Sequence, residues 1–89
     1  MKKYILKIDC DDSKGLIYRI SDVIFKFDLN IATNHEFVDH GVGRFFYRAE
    51  IDANEKINET ALKGTLSAML GEKANINLKE QKKKKIVIL

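Results

Sequence analysis

The first part of the chain shows two different spacings of apolar residues. Between Tyr4 and Asp9, apolar and polar residues alternate with a period of two, which predicts a strand with one buried face. After a polar loop at residues 11–15, apolar residues recur at helical spacing, which predicts an amphipathic helix with this stripe: Leu16, Ile20, Val23, Ile24 and Phe27. We expect Asp12 or Ser13 to cap this helix, and we expect it to end near residues 28–30.

The second part of the chain predicts a hairpin, a second helix and a last strand. Residues 30–39 and 44–51 are rich in β-branched and aromatic types, and the glycine-containing turn at 40–43 joins them into an antiparallel hairpin. A second apolar stripe of helical spacing covers residues 57–70, and we expect Gly71 to be its C-cap. Residues 75–79 alternate again and predict a fourth strand.

The element order is therefore β-α-β-β-α-β. This order predicts an α+β, ferredoxin-like fold, with a four-stranded antiparallel sheet and two helices on one face. A chain of 89 residues is one small domain that buries only a modest fraction of its surface. The bare sheet face or an edge strand is therefore a candidate surface for forming a dimer.

The net charge of +3 comes from one place. Four adjacent lysines occupy residues 82–85, and without them 12 basic residues face 13 acidic ones, a balance of −1. A nearly neutral body argues against nucleic acid as a partner. No apolar run approaches the ~18 residues that a membrane span requires, so we expect no membrane partner.

Two further features bear on location and domain organisation. The single cysteine, Cys10, excludes an intrachain disulfide and fits a cytoplasmic location. The apolar tetrad Ile86–Leu89 follows the lysines and is typical of a buried strand that opens another domain. We therefore expect one domain over residues 1–81, and a basic linker with the start of a missing catalytic domain over residues 82–89.

Particular residues resemble two patterns. Asp12-Ser13-Lys14-Gly15-Leu16, with Ile20 and then Asn30-Ile31, is similar to the Asp-x-x-Gly-Leu-x-x-x-Ile opening of ACT domains. The hairpin at residues 34–48 closely resembles that of formyltetrahydrofolate deformylases, as do residues 10–16 and 84–89. The chain departs from the deformylase pattern at Asp11, which replaces proline, and at Tyr47, which replaces methionine.

This resemblance implies a parent enzyme that hydrolyses 10-formyltetrahydrofolate to tetrahydrofolate and formate, which serves purine synthesis and one-carbon metabolism. In that family the catalytic asparagine, histidine and aspartate lie in a carboxy-terminal formyltransferase-like domain. We therefore expect no catalytic residue and no cofactor in this segment. The resemblance implies instead a regulatory domain that forms a homo-oligomer, most simply a dimer, and that binds an amino acid such as glycine or methionine.

The loop before the first helix is the candidate effector site. A helix N-terminus offers free N–H groups and a positive dipole end to a carboxylate, and glycine permits close approach. Asparagine amides at two later positions would add hydrogen bonds. The candidate effector-binding residues are Asp11, Asp12, Ser13, Lys14, Gly15, Leu16, Asn30 and Asn34. The alternative, that Asp12 only caps and Gly15 only packs, stays open.

Other reactive side chains have simpler interpretations. We expect Asp39 and His40 to shape the hairpin turn through local hydrogen bonds rather than to act as an acid–base pair. Residues His35 and His40 are expected to face opposite sides of the sheet, which argues against a metal site. We expect Cys10 to be a packed, unreactive thiol.

Two alternative functions remain. An RNA-binding RRM shares the element order, and Phe45 and Tyr47 would supply exposed aromatics on its third strand, beside Tyr4 on the first. The glycine and aromatic spacing of the RRM motif is missing, however. The other alternative is a stand-alone ACT-like metabolite sensor that is complete at Leu89, against which the final apolar tetrad argues.

Overall fold

The computed structural model describes residues 2–71 and 73–81. It confirms the predicted order of elements, which are β1 (Lys2–Asp11), α1 (Leu16–Lys26), β2 (Asn30–Asp39), β3 (Arg44–Ala53), α2 (Glu59–Leu70) and β4 (Asn75–Glu80). The predicted linker and opening of a second domain fall on residues 82–89, outside the described residues.

The four strands form one antiparallel sheet in the order β2-β3-β1-β4, as expected for a ferredoxin-like fold. β1 lies between two partners, so that Tyr4 faces Ile51 on one side and Glu80 on the other. Just past β4, the Gln81 N–H donates to the Lys3 carbonyl over 2.8 Å. The start of β1 and the end of β4 are therefore joined.

The core lies between one sheet face and the two helices. Alternate residues of the central strands are buried, namely Tyr4, Leu6, Ile8 and Cys10 of β1 and Phe45, Tyr47, Ala49, Ile51 and Ala53 of β3. They pack with the apolar stripes of the helices in one cluster, which includes Ile20, Ile24, Leu62 and Leu66. The opposite face of the sheet carries the intervening residues and is open, since neither helix packs against it.

Helix α1 begins and ends differently from the prediction. Its N-cap is Gly15, at φ 80°, and no side chain forms a capping bond, so the predicted cap by Asp12 or Ser13 is wrong. The physical reason is that the left-handed turn at Gly15 places the helix start after both residues. The helix ends at Lys26, earlier than predicted, because Asp28 adopts a left-handed conformation at φ 57°.

Helix α2 starts two residues later than its apolar stripe suggests. Asn58 is the N-cap, and its Oδ1 accepts a hydrogen bond from the Ala61 N–H over 3.1 Å. Ile57 lies before the helix, buried, and its N–H donates to the Tyr4 hydroxyl over 3.0 Å. Gly71 ends the helix as predicted, and its N–H donates a hydrogen bond to the Ser67 carbonyl.

Across residues 2–71 and 73–81, neither helix combines the length and the apolar content needed to cross a bilayer.

Candidate functional site

The loop between β1 and α1 presents unpaired backbone donors. The Arg19 N–H makes the first helical bond, to the Gly15 carbonyl over 3.1 Å, so the three N–H groups before it have no partner within the helix. Because no side chain caps α1, these donors and the positive end of the helix dipole face the loop. Free N–H groups at a helix start can donate hydrogen bonds to an anion.

The charged side chains of the loop carry both signs. Lys14 and Asp12 are both exposed, one residue on either side of Ser13. The Asp12 N–H donates to the Gly43 carbonyl over 2.9 Å, which fixes the loop against the hairpin turn.

Arg44 holds the base of the loop in place, and the sequence interpretation did not assign it a role. Its Nη2 donates to Asp9 Oδ2 over 2.8 Å, and its Nη1 donates to Asp11 Oδ1 over 3.2 Å. A third bond reaches the Lys73 carbonyl over 3.2 Å. Asp9 Oδ2 also accepts from Asn75 Nδ2 over 3.0 Å. One guanidinium thus ties the end of β1 to the hairpin and to the start of β4.

The charges in this network stabilise one another. The hydrogen bond from Arg44, followed by that from Asn75, holds the pKa of Asp9 below its ordinary value. The same Asp9 bond raises the pKa of the Arg44 guanidinium. Asp11, the first residue of the predicted site, is therefore anchored by an arginine that is charged across the accessible pH range.

The structure does not bring all the predicted site residues together. Six of them are continuous in the chain: Asp11 ends β1, Asp12, Ser13, Lys14 and Gly15 form the loop, and Leu16 begins α1. Asn30 begins β2 and pairs with Asp52, so it lies at the opposite end of the sheet, roughly 30 Å along the strand from Asp39 at ~3.3 Å per residue. Asn34 lies midway along β2, opposite Ala49.

Asn34 lies beside an unusual hydroxyl. Tyr47 is buried, and among the described residues no group forms a hydrogen bond of acceptable geometry with its hydroxyl. Burial raises the pKa of Tyr47, and the neighbouring Asn34 side chain opposes that rise. The helix-facing side of β3, beside β2, therefore contains a polar group without a hydrogen-bond partner among the described residues.

The prediction of an exposed aromatic face for RNA binding named the wrong aromatic residues. Tyr4, Phe45 and Tyr47 are all buried beneath the helices, because their strand positions point into the core. The exposed aromatics of the sheet are instead Phe37 and Phe46, on the open face.

The remaining side-chain predictions concern the turn, the thiol and metal binding. Asp39 Oδ1 accepts a hydrogen bond from the Gly41 N–H over 3.0 Å, which confirms the turn-shaping role of Asp39. Cys10 is buried, and burial raises the pKa of its thiol, which confirms a packed cysteine. Over residues 2–71 and 73–81, no group of three or more histidine, cysteine, aspartate and glutamate side chains is arranged to hold a metal ion.

Comparison with known proteins gives relatives over the whole chain, although no family model matches. The chain is 39% identical over 89 residues to formyltetrahydrofolate deformylase of Escherichia coli K12, covering 100% of this chain and 31% of that protein. It is 42% identical over 89 residues to the deformylase of Haemophilus influenzae, with the same coverage of 100% and 31%. The chain thus spans about a third of the length of these relatives.

Solved structures agree with this comparison. A formyltetrahydrofolate deformylase from Pseudomonas putida KT2440 superposes with a TM-score of 0.75 at 25% identity, over 86% of this chain and 28% of that one. An ACT domain protein from Streptococcus pneumoniae superposes with a TM-score of 0.72 at 23% identity, over 89% of both chains. The chain therefore has the ferredoxin-like fold of ACT domains, and its predicted resemblance to formyltetrahydrofolate deformylases is confirmed along its whole length.

Proposed function

We propose that this chain is the regulatory ACT domain of a cytoplasmic enzyme that hydrolyses 10-formyltetrahydrofolate to tetrahydrofolate and formate, and so serves purine and one-carbon metabolism. The observation that carries the proposal is the similarity to deformylases over 100% of this chain at 39% identity or more. In this proposal the chain binds an effector and assembles subunits, while residues beyond 89 carry out the hydrolysis.

The proposed effector is a small amino acid that binds at residues 11–16. Its carboxylate would accept hydrogen bonds from the uncapped N–H groups at the start of α1, with Lys14 nearby. Its ammonium group would lie near the Asp12 carboxylate, since Asp11 is already paired with Arg44. A zwitterion of the size of glycine or methionine satisfies both charges.

The proposed assembly uses the edge of β2. This strand has ten residues, most of them exposed, and its outer edge has no partner among the described strands. It contains neither lysine nor proline, the residues that commonly prevent edge pairing. The other edge strand, β4, has only six residues and contains Lys79. Pairing of two β2 strands would therefore give a continuous sheet of two subunits.

Two-fold pairing of this kind would also explain the position of Asn30. Antiparallel pairing about an axis near the middle of β2 brings Asn30 of one subunit to the same end as Asp39 of the other. Asn30 of the partner subunit would then lie at the same end of the double sheet as the loop at residues 11–16. The candidate residues that are far apart in one chain would approach one another across the interface.

The effector part of the proposal is tested by titrating the chain with glycine and with methionine. We expect backbone amide shifts in NMR spectra to concentrate at residues 12–19, and we expect Lys14→Ala to weaken binding. Lys63→Ala on α2 is the matched control, since Lys63 is also exposed and lies outside the loop. If neither amino acid at millimolar concentration shifts these amides, the effector role fails and assembly alone remains.

The assembly part is tested by adding one lysine to each edge. Asn34→Lys should shift the chain towards monomer in sedimentation or light-scattering measurements, because like charges would meet across the two-fold axis. Asn77→Lys makes the same change on β4 and should leave the mass unchanged. A wild-type chain that is monomeric at high concentration would contradict pairing through β2.

The proposed hydrolase activity is tested by sequencing the gene beyond this segment and by assaying the protein that it encodes. Sequence beyond the codon for Leu89 should continue in frame into a formyltransferase-like region, and the protein it encodes should release formate from 10-formyltetrahydrofolate. A stop codon directly after Leu89 would refute the enzyme proposal and leave a stand-alone sensor.

A further inference from the structure

The open face of the sheet contains a groove of about 340 Å³. It is distinct from the loop at residues 11–16. Its charged, histidine and exposed aromatic lining residues are Lys7, Asp9, His35, Glu36, Phe37, Phe46 and Arg48. We call this depression the open-face groove. Its volume lies at the lower end of the range for small-molecule sites, about 300–1,000 Å³.

Two phenylalanines line one part of the open-face groove. Phe37 of β2 and Phe46 of β3 are direct partners in the sheet register, and their ring centroids lie 6.2 Å apart at 35°. They are 64% and 41% exposed, so they add little to the core. Exposed aromatic rings side by side on an otherwise polar face are typical of a surface that contacts a ligand.

Two cations line the adjoining part of the groove. Lys7 of β1 and Arg48 of β3 are direct partners in the register, two residue pairs along from Phe46 and therefore on the same face. Like charges at directly opposite positions destabilise a sheet. Among residues 2–71 and 73–81, neither side chain lies within ion-pair distance of a carboxylate. No ion pair among the described residues offsets this repulsion, and an anion between the two cations would do so.

The two acidic residues that line the groove do not serve this purpose. Glu36 is the register partner of Tyr47, which faces the core, so the Glu36 side chain leaves β2 on the helix-facing side. Asp9 Oδ2 accepts hydrogen bonds from Arg44 and Asn75, at 2.8 and 3.0 Å. Its charge is therefore directed to the far side of the aromatic pair, towards the hairpin, and not to Lys7 and Arg48.

We propose that the open-face groove binds a small molecule that has a planar aromatic ring and an anionic substituent. The ring packs on Phe37 and Phe46, and the anion lies between Lys7 and Arg48. A small molecule fits better than a nucleic acid, because the groove has a single aromatic pair and the chain without residues 82–85 has a balance of −1. This inference does not depend on the proposed enzyme or on its effector loop.

The anion can be a carboxylate or a phosphate, and two probes distinguish them. The chain is titrated separately with folic acid and with AMP while backbone amides are followed by NMR. We expect the shifts to map to Lys7, Phe37, Phe46 and Arg48 and to weaken as salt concentration rises. The probe that binds more tightly shows whether the groove prefers a carboxylate or a phosphate. The absence of shifts with both probes at millimolar concentration would overturn the proposal, as would shifts confined to residues 11–16.

Two pairs of variants test the contacts. Phe37→Ala and Arg48→Ala should each weaken binding by about tenfold, through loss of ring contact and of a charge-assisted hydrogen bond. The controls Phe25→Ala and Arg19→Ala, both at exposed positions on α1, should leave the dissociation constant unchanged. If the variants and the controls lost the same amount of affinity, the proposed contacts with Phe37 and Arg48 would be refuted. Circular dichroism checks folding, and Lys7→Ala replaces Arg48→Ala if that variant unfolds.

Two other occupants of this face would give different results. Tighter binding of single-stranded RNA than of either small probe would overturn the proposal in favour of a nucleic-acid surface. Loss of subunit association in Phe37→Ala, with no binding of either probe to the wild type, would show that a second copy of the chain covers the face.

Discussion

Replacing two buried tyrosines by phenylalanine should give different results, although the same atom is removed in each case. Tyr4 is fully buried, and its hydroxyl accepts the Ile57 N–H over 3.0 Å at a position where Ile57 is only 7% exposed. Tyr4→Phe leaves that N–H buried without a partner. The expected loss in the free energy of unfolding is about 1–3 kcal/mol, the usual cost of an unsatisfied buried donor.

Tyr47→Phe should cost little. Tyr47 is 2% exposed, and its hydroxyl has no hydrogen-bond partner among the described residues. Removing a polar group that is already desolvated and unpaired leaves no other group unsatisfied. We expect the stability to stay within about 0.5 kcal/mol of the wild type or to rise by up to ~1 kcal/mol.

The comparison is made by urea denaturation followed by circular dichroism, at one fixed protein concentration because assembly would make stability concentration-dependent. Tyr18→Phe is the control, since Tyr18 is 78% exposed. Unchanged denaturant slopes would show that the denatured state is the same in all variants. A Tyr47→Phe loss as large as that of Tyr4→Phe, or a Tyr4→Phe loss below about 0.5 kcal/mol, would refute the hydrogen-bond assignment.

Three further predictions concern the end of the sheet near the loop. The pKa of Asp9 lies below its ordinary value of 3.8. The ionised carboxylate therefore stabilises the fold above that pH, and this stabilisation is lost as the pH falls through the folded-state pKa. The stability advantage of the wild type over Asp9→Asn should therefore be largest near neutral pH and shrink in acid, as measured by denaturation at several pH values. Cys10, with its raised pKa and buried position, should react with a thiol reagent far more slowly than the unfolded chain does, and equal rates would contradict the burial. Gly15→Ala should lower the free energy of unfolding by about 1 kcal/mol, as measured in urea, because alanine is strained at φ +80°. A steric clash adds nothing to this cost, since no atom lies within 4 Å of the added Cβ. An unchanged free energy of unfolding would contradict the left-handed turn.

The order of the strands and the bounds of β2 followed from the sequence because the relevant signals are local, whereas β1 extends two residues beyond its prediction at each end and β3 two residues at its end. β2 begins at Asn30 and ends at Asp39 as predicted, since the glycine turn after it fixes one end and the helix end before it fixes the other. The alternation in β1 also identified its buried residues. Such patterns depend on neighbours in the chain and need no knowledge of distant contacts.

The start of α1 was predicted incorrectly because two local signals competed. Asp12 and Ser13 are good capping residues, but Gly15 closer to the helix takes the left-handed conformation and becomes the N-cap. The Asp12 N–H is bound to the Gly43 carbonyl, a contact across 31 residues of sequence that holds the loop before Gly15 against the hairpin turn. Local propensity contains no information about that contact.

The role of Arg44 depends on strand register. The pairing of Arg44 with Asp11, and its diagonal approach to Asp9, follow only once β1 and β3 are aligned. Alternation predicts which residues of β3 share a face, but it does not predict which face the helices cover. Phe45 and Phe46 are both aromatic, and only the packed structure shows that Phe45 is buried and Phe46 is exposed.

The hydrogen bond between the Gln81 N–H and the Lys3 carbonyl, at 2.8 Å, has a topological consequence. The backbone enters and leaves the folded unit at adjacent points of neighbouring strands, so joining these points by a short linker would not disturb the sheet. New termini opened at the exposed turn around Val42 would then give a circular permutant with the same strand order in space. The same proximity suits the unit to insertion within a loop of another protein, where both connections would meet the host at one place.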